Sequence, residues 1–208
     1  MGAGYSMKHA DIIANALRAI APGGKLTNAD VPLINQLGAL WDARAPVAQT
    51  APKWVEVASA LIGVKEIVGP KHNPIVVSWW QKGAAWFRDD ETPWCGAFVK
   101  HCMDTAGFPY PKNFPAAASW AEYGISVPAQ LGAIGVKKRT GGNHVFFIVG
   151  ETADKRFFKA LGGNQGNAVS IMDIAKSDVY SIRWPAGAPQ TQIPLPTMPA
   201  GIISRNEA

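Results

Sequence analysis

A cysteine at the start of a helix and a histidine at the start of a strand are the residues of this chain best placed for covalent chemistry. Thr92-Pro93-Trp94-Cys95-Gly96-Ala97-Phe98-Val99 reads as a helix entry. Thr92 suits the N-cap, and Pro93 suits the first helical position, where a missing N–H costs nothing. Cys95 then falls about three residues in, where unpaired N–H groups and the helix dipole favour a thiolate over a thiol. For an arbitrary cysteine the alternative is a small buried residue on an amphipathic helix. The chain has only two cysteines, and Cys102 lies two turns further along the same helix. That is a separation of about 10 Å, too far for a disulfide between them.

A thiolate needs a base, and the base needs a third group to hold its ring. Four histidines are available. His101 sits about 240° round the helix from Cys95 and points away. His72 precedes the Asn73-Pro74 turn and His9 belongs to an N-terminal helical stretch; both are expected as exposed polar residues. His144 remains, opening a strand over 144–149 after the Gly141-Gly142 turn. If that strand pairs with 157–162 across a turn near 152–155, His144 faces the region of Gly162 and Asn164 emerges just beyond it. Asn164 is the candidate to accept the imidazole N–H and fix its tautomer. Gln165 and Asn167 are alternatives in the same glycine-rich segment, 161–167.

The elements that must position these groups follow from hydrophobic period. Residues 8–44 read as a small helical hairpin: Ile12, Ile13, Ala16, Leu17 and Ile20 recur at helix spacing, and a second helix is capped by Asn28 or Asp30. The segment 45–52 is a linker by composition. Helices follow around Trp54–Ile62, 75–80 and Cys95–Ala106, the last half-buried. From about residue 125 the period changes to two, with strands expected over 134–136, 144–149, 157–161, 168–171 and 179–184. Helices first and strands afterwards make an α+β fold with an antiparallel sheet. The organisation is a helical segment and linker over 1–50, a catalytic domain over 51–185, and an extended or disordered Pro-rich tail over 186–208.

Composition excludes several classes. With 208 residues, 48% hydrophobic and 17% charged, the chain is globular. Its net charge of +5 is mild. Lys137-Lys138-Arg139, the tight cationic cluster, reads as a solvated surface loop, and nothing suggests a nucleic-acid groove. No stretch is suited to membrane insertion. The N-terminus lacks the basic-then-apolar plan of a signal peptide, so the chain is expected to be made in the cytoplasm without its own export signal. No Cys/His cluster has zinc spacing, and Asp89-Asp90-Glu91 reads as a solvated acidic turn, so no metal is expected.

Trp94-Cys95-Gly96-Ala97-Phe98-Val99, then Asn143-His144-Val145, then Gly163-Asn164-Gln165, in that order, resemble the CHAP/NlpC-P60 cysteine peptidoglycan hydrolases, and within them the phage-endolysin-type subgroup. The resemblance spans roughly residues 53–185. It implies a papain-like core that cleaves amide bonds of cell-wall peptides without a cofactor, as an endopeptidase or N-acetylmuramoyl-L-alanine amidase. By carry-over Cys95 is the nucleophile, His144 the base and Asn164 the orienting residue. Trp94 and Gln165 are candidate substrate contacts, and Gln81, Asp89 and Thr92 are candidate oxyanion donors. The chain departs from the family in having Gly132-Ala133 where many members have Gly-Asp, and an amide where many have a third carboxylate. The expected partner is peptidoglycan, met by a monomer at the bacterial wall. The alternatives are a non-catalytic wall-binding or virion module, and a thiol acyltransferase or protease on the same fold.

Overall fold

In the computed structural model, which describes residues 13–14, 17–18, 22–42, 51–190 and 194–202, the chain divides into two units, Met1–Gln49 and Thr50–Ala208. The first unit contains helix α1 (Asp30–Asp42). Asp30 opens it by accepting from the backbone N–H and hydroxyl of Thr27, both at 2.7 Å, the acidic half of a capping box. Residues 13–14 and 17–18 are helical as well. The rest of that expected helix, His9 and the linker up to residue 50 lie outside the described residues. Among the described residues no helix is long and apolar enough to cross a membrane.

The second unit is α+β. Helices α2 (Lys53–Ala60), α3 (Pro74–Trp80) and α4 (Cys95–Thr105) come before the sheet. Asn73 caps α3 through its side chain, which accepts the Ile75 N–H at 2.9 Å, and Pro74 takes the first helical position. The strands are β1 (Ile125–Ser126), β2 (Ile134–Arg139), β3 (Gly142–Thr152), β4 (Phe157–Gly162), β5 (Ser170–Ala175), β6 (Val179–Trp184) and β7 (Thr197–Met198). They form one sheet in the order β1-β6-β2-β3-β4-β5, antiparallel throughout, with β7 adding to β3 in parallel. Helix α4 packs against β3, with Phe98 and Phe147 ring centroids 6.2 Å apart. Five tryptophans, Trp79, Trp80, Trp94, Trp120 and Trp184, are fully buried in the core between them.

Several local expectations change. Helix α4 is not half-buried: every residue from Cys95 to Lys100 is covered. The Lys100 ammonium lies over the rings of Tyr110 and Phe114 and 3.5 Å from Asp104, so its stem and charge are both accommodated. The cluster Lys137-Lys138-Arg139 belongs to β2, not to a loop, and Lys137 is buried. Of the tail expected to be extended or disordered, residues 194–202 run along the sheet, with Thr197–Met198 pairing β3. Lys159 and Asp173, both buried, pair at 2.5 Å. Lys159 also donates to the Pro199 carbonyl, and Asp173 accepts the Gly201 N–H at 2.8 Å. A distant ion pair anchors the tail, and that contact has no local sequence signature.

Removing one partner of such a pair strands a buried charge. Lys159→Ala is expected to cost about 3–5 kcal/mol in denaturant unfolding. A cost below about 1 kcal/mol, the range of surface pairs, would show that the pair is not the anchor.

Candidate active site

Helix α4 begins at Cys95 itself, with Trp94 at the N-cap position and no side-chain cap. Thr92 does not cap the helix: the Asp89 carboxylate engages its hydroxyl, takes the Thr92 and Glu91 N–H groups at 2.6 and 3.1 Å, and fixes the turn beforehand. Cys95 therefore sits nearer the terminus than its spacing suggested. Its Sγ meets the backbone N–H of Val145, the residue after His144, and the N–H groups of Gly96 and Cys95 itself. Burial nonetheless pushes the thiol up. The Val145 N–H, the Arg139 charge and the helix amides pull the other way and do not offset it. The expected standing thiolate is thus replaced by a covered thiol that must be deprotonated locally.

His144 is buried in β3, opposite Lys137 of β2, and stacks on Phe146 at 5.8 Å. Its Nε2 lies 3.1 Å from Oε1 of Gln165. The other end of that amide donates to the carbonyls of Ser170 at 2.6 Å and Ala160 at 3.2 Å. Two carbonyls can be satisfied only by the NH2 group, so the oxygen must face the histidine. An oxygen facing Nε2 assigns the imidazole proton to Nε2 and leaves Nδ1 as the basic nitrogen.

Gln165, not Asn164, therefore receives the imidazole N–H. Two features move the bond by one residue. Leu161 lies opposite Phe147, two residues further along β4 than the estimated register, with a bulge between Ile148 and Gly150. Asn164 then adopts a left-handed φ of 57°, which turns the chain and returns the next side chain toward the strand. Asn164 itself is buried in the turn.

The turn can come this close because it is glycine. A Cβ on Gly163 would meet Cβ of Phe98 at 2.5 Å and the Trp94 ring at 2.6 Å, contacts that side chains do not tolerate. Trp94 is fully buried and donates to the Glu66 carboxylate at 2.8 Å. It is a wall beneath the turn and not a substrate contact. Gln165, 1% exposed and fully engaged, is not one either. Burial, with further contributions from Asp90 and Glu91, holds the Glu66 carboxyl above the usual carboxylate range despite the Trp94 bond. Glu66 also donates its N–H to the Asn167 carbonyl at 2.9 Å. The segment around it clamps the turn from the side opposite α4's first turn. Nothing in the local spacing of Glu66 marked it.

The remaining candidates have structural partners. Asp90, fully buried, accepts the N–H groups of Ile67 and Asn73 and Nδ1 of His72, all within 2.9 Å. The acidic run is thus partly a buried clamp and not a solvated turn, and His72 is a half-buried member of it. His101 stacks on Trp79 at 5.5 Å, and burial lowers its pKa. Asp89 only accepts, the Thr92 hydroxyl is engaged with Asp89, and Gln81 is exposed at the end of α3. None of the three is set as a side-chain oxyanion donor. Among the described residues no group of three His, Cys, Asp or Glu could hold a metal.

No protein-family model, curated protein or solved structure matches the chain. Its functional reading rests on this geometry.

The amide orientation gives a direct test. Gln165→Ala is expected to lower turnover about tenfold with the fold retained, since it removes a group that orients the base and takes no part in proton transfer. Gln165→Glu should be no better, because its second oxygen would face the Ala160 and Ser170 carbonyls. Asn164→Ala should change turnover little and cost about 1–2 kcal/mol through its left-handed backbone. Kinetics beside thermal unfolding separate the three. Full activity of Gln165→Ala with a crippled Asn164→Ala would return the role to the asparagine.

Proposed function

We propose that this protein is a thiol hydrolase of the papain-like kind, cleaving amide bonds in the peptides of bacterial peptidoglycan without a cofactor. One observation carries the reading. A cysteine on the first residue of a buried helix meets the strand of a buried histidine at the very next residue, and a locked glutamine fixes that histidine's tautomer. A structural cysteine has no need of an oriented imidazole on the strand it touches.

In the proposed mechanism Nδ1 of His144 takes the Cys95 proton as Sγ attacks the substrate carbonyl carbon. The oxyanion forms at the N-terminus of α4, where the first-turn amides and the helix dipole favour negative charge. The C–N bond then breaks, and the imidazolium returns its proton to the leaving amine. Water, deprotonated by His144, hydrolyses the thioester to a carboxylate and restores the thiol. Gln165 stabilises the imidazolium through Nε2 at each stage.

The substrate assignment rests on the resemblance of the three segments around Cys95, His144 and Gln165 to wall hydrolases. Muropeptide analysis by mass spectrometry, wild type beside Cys95→Ala, tests it. Defined new amine and carboxyl ends are expected from the wild type alone. Intact wall with both proteins would overturn the substrate class.

A further inference from the structure

A groove of about 480 Å³ opens beside the first turn of α4. Trp86, Phe87, Thr92, Pro93, Asn113 and Pro115 line it. That volume lies within the range of sites for small molecules. Trp86 is 70% exposed, with its ring 5.8 Å from Phe87. Among the tryptophans whose burial is described it alone is exposed, so an open indole here has no role in the core. Phe87 in turn rests on Trp80 at 4.8 Å, so the platform is seated on rigid structure.

The groove belongs to the same end of the helix as the nucleophile. Pro93 is two residues before Cys95, within about 7 Å along the chain. On the opposite wall, the carbonyls of Phe114 and Pro115 press on Gly96 so closely that a Cβ would come within 2.1 Å and 3.0 Å of them. The groove thus opens at the end of α4 that carries Cys95.

The lining selects the occupant's chemistry. Its walls are aromatic and prolyl carbon, its polar side chains are Thr92 and Asn113, and no charged residue lines it. Wall stem peptides are rich in carboxylates and would call for cations there. A sugar ring has an apolar C–H face to lay on an indole and a rim of hydroxyl and acetamido groups for neutral partners.

We infer that this groove binds an N-acetylated hexosamine ring of the glycan strand, so that the amide attacked by Cys95 lies next to the sugar and not deep in a peptide cross-link. The inference builds on the proposed hydrolase and names its substrate side. It places the products as a glycan carrying a free carboxylate and a peptide with a new free amine.

Binding to the full chain carrying Cys95→Ala, which cannot turn over, provides the test. The probes are the disaccharide N-acetylglucosaminyl-N-acetylmuramoyl-L-alanyl-D-isoglutamine and the free dipeptide L-alanyl-D-isoglutamine. Affinity is measured by calorimetry, and the Trp86 indole N–H is followed by NMR. The disaccharide form is expected to bind and shift that indole signal while the free dipeptide does neither. Adding Trp86→Ala should weaken binding about tenfold, and Trp86→Phe should restore most of it, as loss and return of a stacking face require. Trp86 is exposed, so folding is not at stake. Equal affinity for the free dipeptide, absence of disaccharide binding, or an unchanged affinity in Trp86→Ala would overturn the inference. Sugar binding that depends on Trp86, in a protein whose wild type leaves the wall uncut, would uphold the sugar site and remove the hydrolase.

Discussion

Replacing Cys95 with alanine is expected to abolish wall lysis while the protein stays folded. The side chain is buried, but the change removes a single sulfur atom and leaves the helix amides to be met by solvent or substrate. The stability cost should be about 1 kcal/mol, at the low end for small core deletions. The loss of activity should be complete within detection, because no other nucleophile lies at the terminus of α4. Cys102 is the matched control: it is fully buried on the same helix, and burial pushes its thiol far up. Cys102→Ala should cost a similar or larger amount of stability and keep most activity. Circular dichroism and turbidity loss of purified wall measure the two quantities separately. Lysis by Cys95→Ala together with an inactive, folded Cys102→Ala would transfer the chemistry to the second cysteine.

The parts of this site that could be read from sequence are those that depend on residue type and local order. Cysteine and histidine are scarce here, and a cysteine opening a helix before a histidine opening a strand is a pattern a linear reading can find. The third group is different. Its identity depends on the left-handed turn at Asn164 and on a β3–β4 register set by the hairpin turn, two residues from the estimate at Phe147. A change of one dihedral region exchanges which of two neighbouring amides faces the ring. Trp94 was misread for a related reason. An aromatic beside a nucleophile looks like a platform until the Gly163 turn and Glu66, distant in sequence, are known to cover it. Burial is a property of the whole fold.

The helix boundary and the tail show the same limit. Thr92 has the right chemistry for a cap, but Asp89 engages its hydroxyl as well as its N–H, and competition between two adequate local partners is settled by geometry. The tail has the composition of a loose end, yet Lys159 and Asp173 supply a binding site for it inside the sheet. The amide at Gln165, which departs from the carboxylate common in the family it resembles, has its explanation in the Ala160 and Ser170 carbonyls. They require a donor, and a carboxylate has none.

His144→Ala is expected to reduce turnover by at least about a hundredfold, the lower end for loss of a general base. The pH dependence of Cys95 alkylation gives this prediction its sharper form. Burial disfavours the charged thiolate and so moves the Cys95 pKa upward, which lowers the thiolate fraction at neutral pH. In the proposed mechanism the imidazole accepts that proton, so iodoacetamide should label Cys95 of the wild type near neutral pH. Without His144 the proton must go to solvent, so labelling should be slow at neutral pH and rise only above the ordinary thiol range. Cys102, whose thiol burial also pushes up and which is covered on the helix interior, should stay unlabelled in both proteins and serves as the internal reference. Part of any stability change in His144→Ala will come from the Gln165 oxygen left without its donor, about 1–3 kcal/mol. Unfolding measurements on the same samples keep that cost apart from the chemistry. If His144→Ala labels at the wild-type rate at neutral pH and still lyses the wall, the imidazole is not the base.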